Sequence, residues 1–252
     1  MNITDESTSV AAPTGSCRYT IRERLRAALG YGRMPEDSAA VIVDWLQGTF
    51  GPESVLDVGC GGGAFLRRFK SYGVQTTGLD ACAVWPKGVD DFRSIDLNLC
   101  AWQEFPAADL TMCLEVAEHL EVSVANVLVS RLCESAPVVI FGGGIPGQGG
   151  WGHVNEQWAS WWARLFEANR YAPHDDLRRH LWNRPSVAPW YAQDLLIYCS
   201  ENTAAMHGFR RADPLDVVHP RSWERIGPMG IWQRIKRAVN TELTGPSAGP
   251  VQ

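Results

Sequence analysis

Asp57-Val58-Gly59-Cys60-Gly61-Gly62-Gly63 is the stretch of this sequence whose residue types say most about chemistry. An apolar run, Val55 to Val58, leads into closely spaced glycines. Such glycines turn the backbone sharply and let a ligand approach its N–H groups. Asp80, ending the next apolar run, is then placed to accept hydrogen bonds from both hydroxyls of a ribose. Gly59, Gly61 and Ala64 also satisfy the G-x-G-x-x-G/A spacing of dinucleotide sites, so the loop alone leaves a nicotinamide-dependent oxidoreductase open. Asp57 argues the other way. A carboxylate two residues ahead of the first glycine sits beside the ligand, where it is unhelpful to a pyrophosphate and suited to an ammonium.

Two further groups of polar residues follow apolar runs. Leu110–Leu114 is followed by Glu115, Glu118 and His119, and Val138–Phe141 by a glycine-rich run that ends in His153, Asn155 and Glu156. An imidazole with a pKa of about 6.5 suits proton transfer near neutrality, which makes His119 and His153 candidate general bases. The alternatives are structural. His119 can belong to a loop that only supports the site. Asn155 can cap a helix and Glu156 can favour its dipole, a reading that leaves His153 unexplained. So many glycines before polar side chains suggest a mobile or ligand-approaching backbone.

These residues need elements to position them. Residues 1–17 lack periodicity and are expected to be a disordered arm. Ile21, Leu25, Ala28 and Leu29 recur at helical spacing, and a second helix starts near Glu36-Asp37-Ser38 and ends at Gly48. From residue 54 short apolar runs alternate with helices. Strands are expected at Ser54–Val58, Gln75–Leu79, Phe92–Ile95, Leu110–Leu114 and Val138–Phe141, with helices over Ala64–Tyr72 and Val122–Cys133. That rhythm implies a parallel sheet with helices on both faces. Later, Glu156–Asn169 reads as a Trp-rich helix, and Tyr171–Leu177 and Leu195–Cys199 as strands. Arg178–Trp190 reads as an insertion over one end of the sheet, and Ile231–Leu243 as an amphipathic segment. The domain reading is an arm (1–17), an N-terminal helical cap (18–50), a core (51–200) and a C-terminal extension (201–252).

Composition narrows the partners. The 252 residues carry 23 cations and 28 anions, a formal net charge of −5, so bulk electrostatics draws in neither nucleic acid nor anionic lipid. No apolar stretch is long enough to span a membrane, and no signal peptide is visible, so a cytoplasmic chain is expected. The seven cysteines are an odd number without any C-x-x-C pair, which reads as reduced thiols. Eight of eleven tryptophans lie after residue 150. Trp158, Trp161, Trp162, Trp182 and Trp190, with Tyr191, fit either a core or the walls of an acceptor pocket. Arg178, Arg179 and Arg184 suit a carboxylate or phosphate on a substrate, or a plain basic edge.

The order D-x-G-x-G-x-G in Asp57–Gly63, then Gly78-Leu79-Asp80, Ser94-Ile95-Asp96-Leu97 and the Asp109–Leu120 stretch with its E-V-x-E-H-L string, resembles class I S-adenosylmethionine-dependent methyltransferases. The resemblance runs over about residues 40–200. It implies an α/β fold, a Rossmann-like seven-stranded, mostly parallel sheet whose final strand, Leu195–Cys199, is antiparallel. It implies S-adenosyl-L-methionine as cofactor, with Asp57, Gly59, Gly61, Gly63, Asp80, Asp96, Leu97, Leu114 and Glu115 in its site. Asp96 would meet the exocyclic amine of the adenine, and the next backbone N–H a ring nitrogen.

The activity so implied is methyl transfer to an oxygen or nitrogen of a small polar metabolite or natural-product intermediate, with His153 and His119 as catalytic residues. Other readings stay open: a cofactor-binding enzyme with non-methylating chemistry, a silent binding partner, or a metal-dependent nucleic-acid methyltransferase. Glu115, Glu118, His119 and His153 together resemble the magnesium or manganese site of small-RNA 2′-O-methyltransferases, although a common loop needs no metal. We therefore assign no metal from sequence. Neither the acceptor nor an oligomeric state is written in these motifs.

Overall fold

The structure, a computed structural model, describes residues 34–81, 88–102 and 104–226. The expected arm over 1–17, the helical pattern around Ile21–Leu29 and the segment Ile231–Leu243 lie outside the described residues. Seven strands form one sheet: β1 Ser54–Val58, β2 Gln75–Asp80, β3 Asp91–Ser94, β4 Leu110–Leu114, β5 Val138–Gly142, β6 Ala172–His174 and β7 Leu196–Cys199. Their order is 3-2-1-4-5-7-6. The pairs among β1 to β5 are parallel, and β7 runs antiparallel to both β5 and β6. The chain order reverses between β1 and its neighbours β2 and β4. A crevice opens at such a point, outside the carboxyl ends of the strands.

Side chains alternate across a strand, so each central strand feeds two cores. Val55, Leu110, Met112, Ile140 and Ile197 face one side, where helices α1 Met34–Phe50, α2 Ala64–Lys70, α5 Asp176–Leu181, α6 Pro189–Asp194 and α7 Glu201–His207 contribute Ile42, Leu46, Leu66, Phe69, Leu181 and Ala204. Leu56, Val58, Cys113, Val139 and Phe141 face the other side. There α3 Ala125–Ser135 and α4 Ala159–Ala168 contribute Leu128, Leu132, Trp162 and Phe166. Phe166 stacks on Tyr198 with ring centroids 3.8 Å apart. An eighth helix, α8, covers Pro220–Ile226.

Several boundaries differ from expectation for local reasons. α1 continues through Gly48 to Phe50, whose ring is held by Trp45, His207 and Phe209. A 3₁₀ turn at Val122–Val124 precedes α3, which begins only at Ala125. The expected strand Tyr171–Leu177 is a strand only over Ala172–His174. The chain then turns at Asp175 into α5, where the Asp175 carboxylate meets Arg178 and Arg179 at i+3 and i+4. The insertion between Arg178 and Trp190 completes α5 and begins α6. The Trp-rich helix starts at Ala159, not Glu156, because Asn155 and Glu156 are engaged elsewhere.

Arg178 is not a substrate ligand. Its buried guanidinium donates to the carbonyls of Leu215 (2.8 Å) and Pro214 (2.7 Å) and lies 3.5 Å from Asp175. It ties the segment after β7 back onto α5. Arg178→Leu leaves two carbonyls and a buried carboxylate short of a partner, which should cost roughly 3 kcal/mol. A chemical-denaturation midpoint equal to that of the wild type would contradict this role.

Candidate functional site

The loop after β1 is closed against β2. Gly59 and Cys60 both donate to the Leu79 carbonyl (2.7 and 3.1 Å), and Gly61 N–H donates to Asp80 Oδ2 at 2.9 Å. Gly59 has φ +82°, and a Cβ there would lie 2.2 Å from Val116 Cγ2, so only glycine fits. Gly61 and Gly62 are exposed, and a Cβ on either meets no atom within 4 Å among the described residues. The loop therefore presents an open backbone face at the crevice. Gly63, with φ +74°, leads into α2.

Asp57 is 3% exposed and its Oδ2 accepts no hydrogen bond among the described residues. Burial, then the charge of Asp80, pushes its pKa up to about 7. An uncompensated carboxylate in this position favours a cationic ligand group. Ser94 pairs with Asp80 across β3 and β2, so Asp96, two residues on, emerges at the same end of the sheet. Its Oδ1 takes the Asn98 N–H at 3.0 Å, and the side chain is exposed. Leu97 and Leu114 put their side chains into or against the core.

The second half of the site is built by the loops after β4 and β5. Val154 and Asn155 donate to the Glu118 carbonyl (2.8 and 3.0 Å), and Asn155 Nδ2 reaches the Ala117 carbonyl at 3.4 Å. These bonds zip the two loops together and bring His153 beside His119, ring centroids 4.9 Å apart. Glu156 accepts from Gly147 N (2.7 Å), Gly149 N (2.6 Å) and His153 Nδ1 (2.9 Å). Two glycines of the run expected to be mobile or ligand-approaching make room for a side chain. A Cβ at Gly150 would lie 2.1 Å from His153 Nε2, and one at Gly144 3.2 Å from the same ring.

Glu118 is 1% exposed, and neither carboxylate oxygen makes a hydrogen bond of good geometry with the described residues. Burial pushes its pKa up to about 7, against the pull of the nearby N–H groups of Glu118 and Gly144. Burial raises Glu115 well above the usual range, aided by Glu118 and Asp194 and opposed by a hydrogen bond from Gln148. Asp194 is raised chiefly by burial, with Gln193 and Arg178 pulling it down. His119 is lowered by burial and by His153, so it is neutral at pH 7. One ligand atom each from Glu118, His119 and His153 lie within 4.8 Å of one another. Glu115 is not part of that trio.

Of the aromatic residues considered for an acceptor pocket, Trp162 is a core residue 2% exposed, Trp158 lies on the surface, and Trp182 packs on His219. Tyr191, edge-on to Phe65, feels Glu115, Asp57 and Glu118 together. Gln148 and Asp194 were not anticipated. Gln148 is the sole polar side chain between Phe141 and Trp151, a signal that could have flagged it; Asp194, at the end of α6, carries no such mark.

No protein-family model matches the chain, and no curated protein matches it in sequence. Solved structures do match in fold. Magnesium protoporphyrin IX methyltransferase from Synechocystis, with bound S-adenosylmethionine, superposes with a TM-score of 0.50 at 17% identity, covering 71% of this chain and 91% of that one. The same enzyme with S-adenosylhomocysteine gives 0.50. An O-methyltransferase family protein from Burkholderia thailandensis gives 0.52 at 13% identity, covering 73% of this chain and 61% of that one. The fold is the Rossmann-like fold of S-adenosylmethionine-dependent methyltransferases. No helix among the described residues is long and apolar enough to cross a membrane.

The raised carboxylates set a sign for stability against pH. Asp57 and Glu118 hold protons in the folded state up to about pH 7 that the unfolded chain releases near pH 4. Their protonated forms favour folding below pH 4, and that contribution is lost as pH climbs to 7. The ligand-free protein should therefore melt higher at pH 5.5 than at pH 8, an effect on the order of a few kcal/mol. Asp57→Asn should raise the pH 8 melting temperature and flatten the profile. A variant less stable than wild type at pH 8 would contradict the burial of an unpaired charge.

Proposed function

We propose that this chain transfers a methyl group from S-adenosyl-L-methionine to an oxygen or nitrogen of a small polar acceptor. The observation that carries the reading is the open glycine face at Gly61 and Gly62, set between Asp80 and the buried, unpaired Asp57 at the crevice of this sheet. A pyrophosphate beside Asp57 meets an anion; an amino-acid ammonium meets its counter-charge. Asp80 serves the ribose, Asp96 and the Leu97 N–H serve the adenine, and Gly59, Gly63, Leu114 and Glu115 shape the remaining wall. Residues 51–200 are the cofactor-binding core in this reading, with 18–50 as a cap and 201–252 as an extension.

Methyl transfer is an in-line displacement at a carbon already activated by positive sulfur. The protein aligns the nucleophile about 3 Å from the methyl and takes up its proton where one is lost. His153 and His119 stand beside the crevice on the two zipped loops. The Glu156 carboxylate at Nδ1 of His153 fixes the tautomer with the proton on that nitrogen, which leaves Nε2 to accept one. His119, neutral at pH 7, is the second acceptor.

A metal-assisted version is favoured by one observation, the convergence of Glu118, His119 and His153 around a buried carboxylate that lacks well-formed hydrogen bonds. Those three residues would hold a divalent cation, which would lower the pKa of an acceptor oxygen. Glu156 would then orient His153 as a ligand.

Asp80→Ala should weaken S-adenosylhomocysteine by about ten- to a hundredfold, or roughly 1.5–3 kcal/mol, by calorimetry. Equal affinity in both proteins would remove Asp80 from the site. His153→Ala should keep that affinity while turnover of a methyl acceptor falls about 10²–10⁴-fold. Undiminished turnover across pH 6 to 9 would make His153 structural. Loss of wild-type activity on chelation, restored by manganese, would move both histidines to the metal-assisted version.

A further inference from the structure

Glu115 occupies an unusual place. It follows β4 with φ +55°, a left-handed backbone that a non-glycine residue adopts only when its surroundings hold it there. Its N–H donates to the Gly142 carbonyl at 2.9 Å, and the next residue, Val116, fills the space over Gly59. Glu115 is thereby locked to the first glycine of the loop after β1. One carboxylate oxygen, Oε2, accepts from Gln148 Nε2 at 2.9 Å. Gln148 is itself held: its Oε1 receives the Ile145 N–H and Gln193 Nε2, both at 3.3 Å. Gln193 Oε1 in turn accepts from His219 N at 3.0 Å. The other oxygen, Oε1, is shut off from solvent and accepts nothing from the described residues. So one edge of the carboxylate is fixed by a buried amide chain, and the other edge is left for something the described residues do not supply.

Asp57 Oδ2 is buried and without a partner among the described residues in the same way, as are both oxygens of Glu118 and Asp194 Oδ2; Asp57, Glu115 and Glu118 all act on Tyr191, and Glu118 converges with the two histidines. Of these, Asp57 and Glu115 stand where the cofactor reading places a methionine moiety with two positive charges, an ammonium and a sulfonium, and a cation there would favour the ionised form of each carboxyl. After transfer the ammonium remains and the sulfur is neutral. We propose that Glu115 is the specificity-determining residue that reads the sulfonium charge, separating S-adenosylmethionine from its product S-adenosylhomocysteine, and that Gln148 is its positioning residue. The assignment rests on the cofactor reading above and adds a division of labour to it: Asp57 holds what substrate and product share, and Glu115 holds what only the substrate has. The attraction opposes loss of charge in the transition state, so its benefit lies in cofactor exchange and release of product, not in the chemical step.

The test is calorimetry at pH 8 with three ligands: S-adenosylmethionine, S-adenosylhomocysteine, and sinefungin, which carries an ammonium in place of the sulfonium. Glu115→Gln keeps the shape and the Gln148 neighbour but removes the charge. Its affinity for the two cationic ligands should fall by about tenfold, a modest share of a close charge pair, while S-adenosylhomocysteine changes less than twofold. Gln148→Leu should shift the same ratio in the same direction, and Glu115→Asp should restore part of it. Equal losses for all three ligands, or no loss for any, overturn the proposal. If Glu115→Gln does not fold by its melting curve, the Gln148→Leu and Glu115→Asp ratios decide by the same criterion. If the wild type binds none of the three, the cofactor reading fails, a different result from a ratio that does not move.

Discussion

The contact of Val116 with Gly59 is the constraint on which the rest of the site depends. A side chain from the loop after β4 occupies the volume that any residue other than glycine would need at the first turn after β1. The two loops at the reversal of the strand order are therefore locked to each other, and every group on them inherits that register. Asp57 comes in from β1, Glu115 is the residue before Val116, and the turn Ala117–His119 follows it. Displacing one loop would carry the glycine face and the carboxylates with it.

That lock concentrates negative charge. Asp57, Glu115, Glu118 and Asp194 are drawn into one buried region, and Arg178 is the cation that acts on one of them, Asp194. Burial without counter-charge costs free energy, and in each of these groups it pushes the pKa up toward the neutral acid. Strain of this kind is retained where a ligand relieves it. A cationic cofactor, or a cation held by Glu118 and the two histidines, offers such relief.

Gly144 and Gly150, after β5, show a glycine making room for a side chain. They admit the imidazole of His153 against the backbone, and Glu156 closes the loop by collecting two N–H groups and Nδ1 of that ring. The ring is fixed from three directions. A side chain held within a loop needs this kind of support, because a loop lacks the ladder of hydrogen bonds that holds a strand.

Much of this was legible in the sequence because local physics decided it. The parallel strands β1, β2, β4 and β5 are short apolar runs with few alternatives. The glycines of Gly59–Gly63 announce a tight turn whatever surrounds them, and Asp57 and Asp80 are tied to that turn by short separations along the chain. Boundaries set by distant partners were not legible. Asn155 and Glu156 look like helix-capping residues until the 117–118 carbonyls and the 147–149 N–H groups are brought to them. Arg178 looks like an anion ligand until the carbonyls of Pro214 and Leu215 reach it across the fold. Gln148 and Asp194 gain meaning only beside Glu115. The sequence determined by itself that a strand must run into a glycine turn next to a carboxylate. Tertiary structure alone decided which buried acids share that space, because the cost of an unpaired charge depends on neighbours that the chain brings from far away.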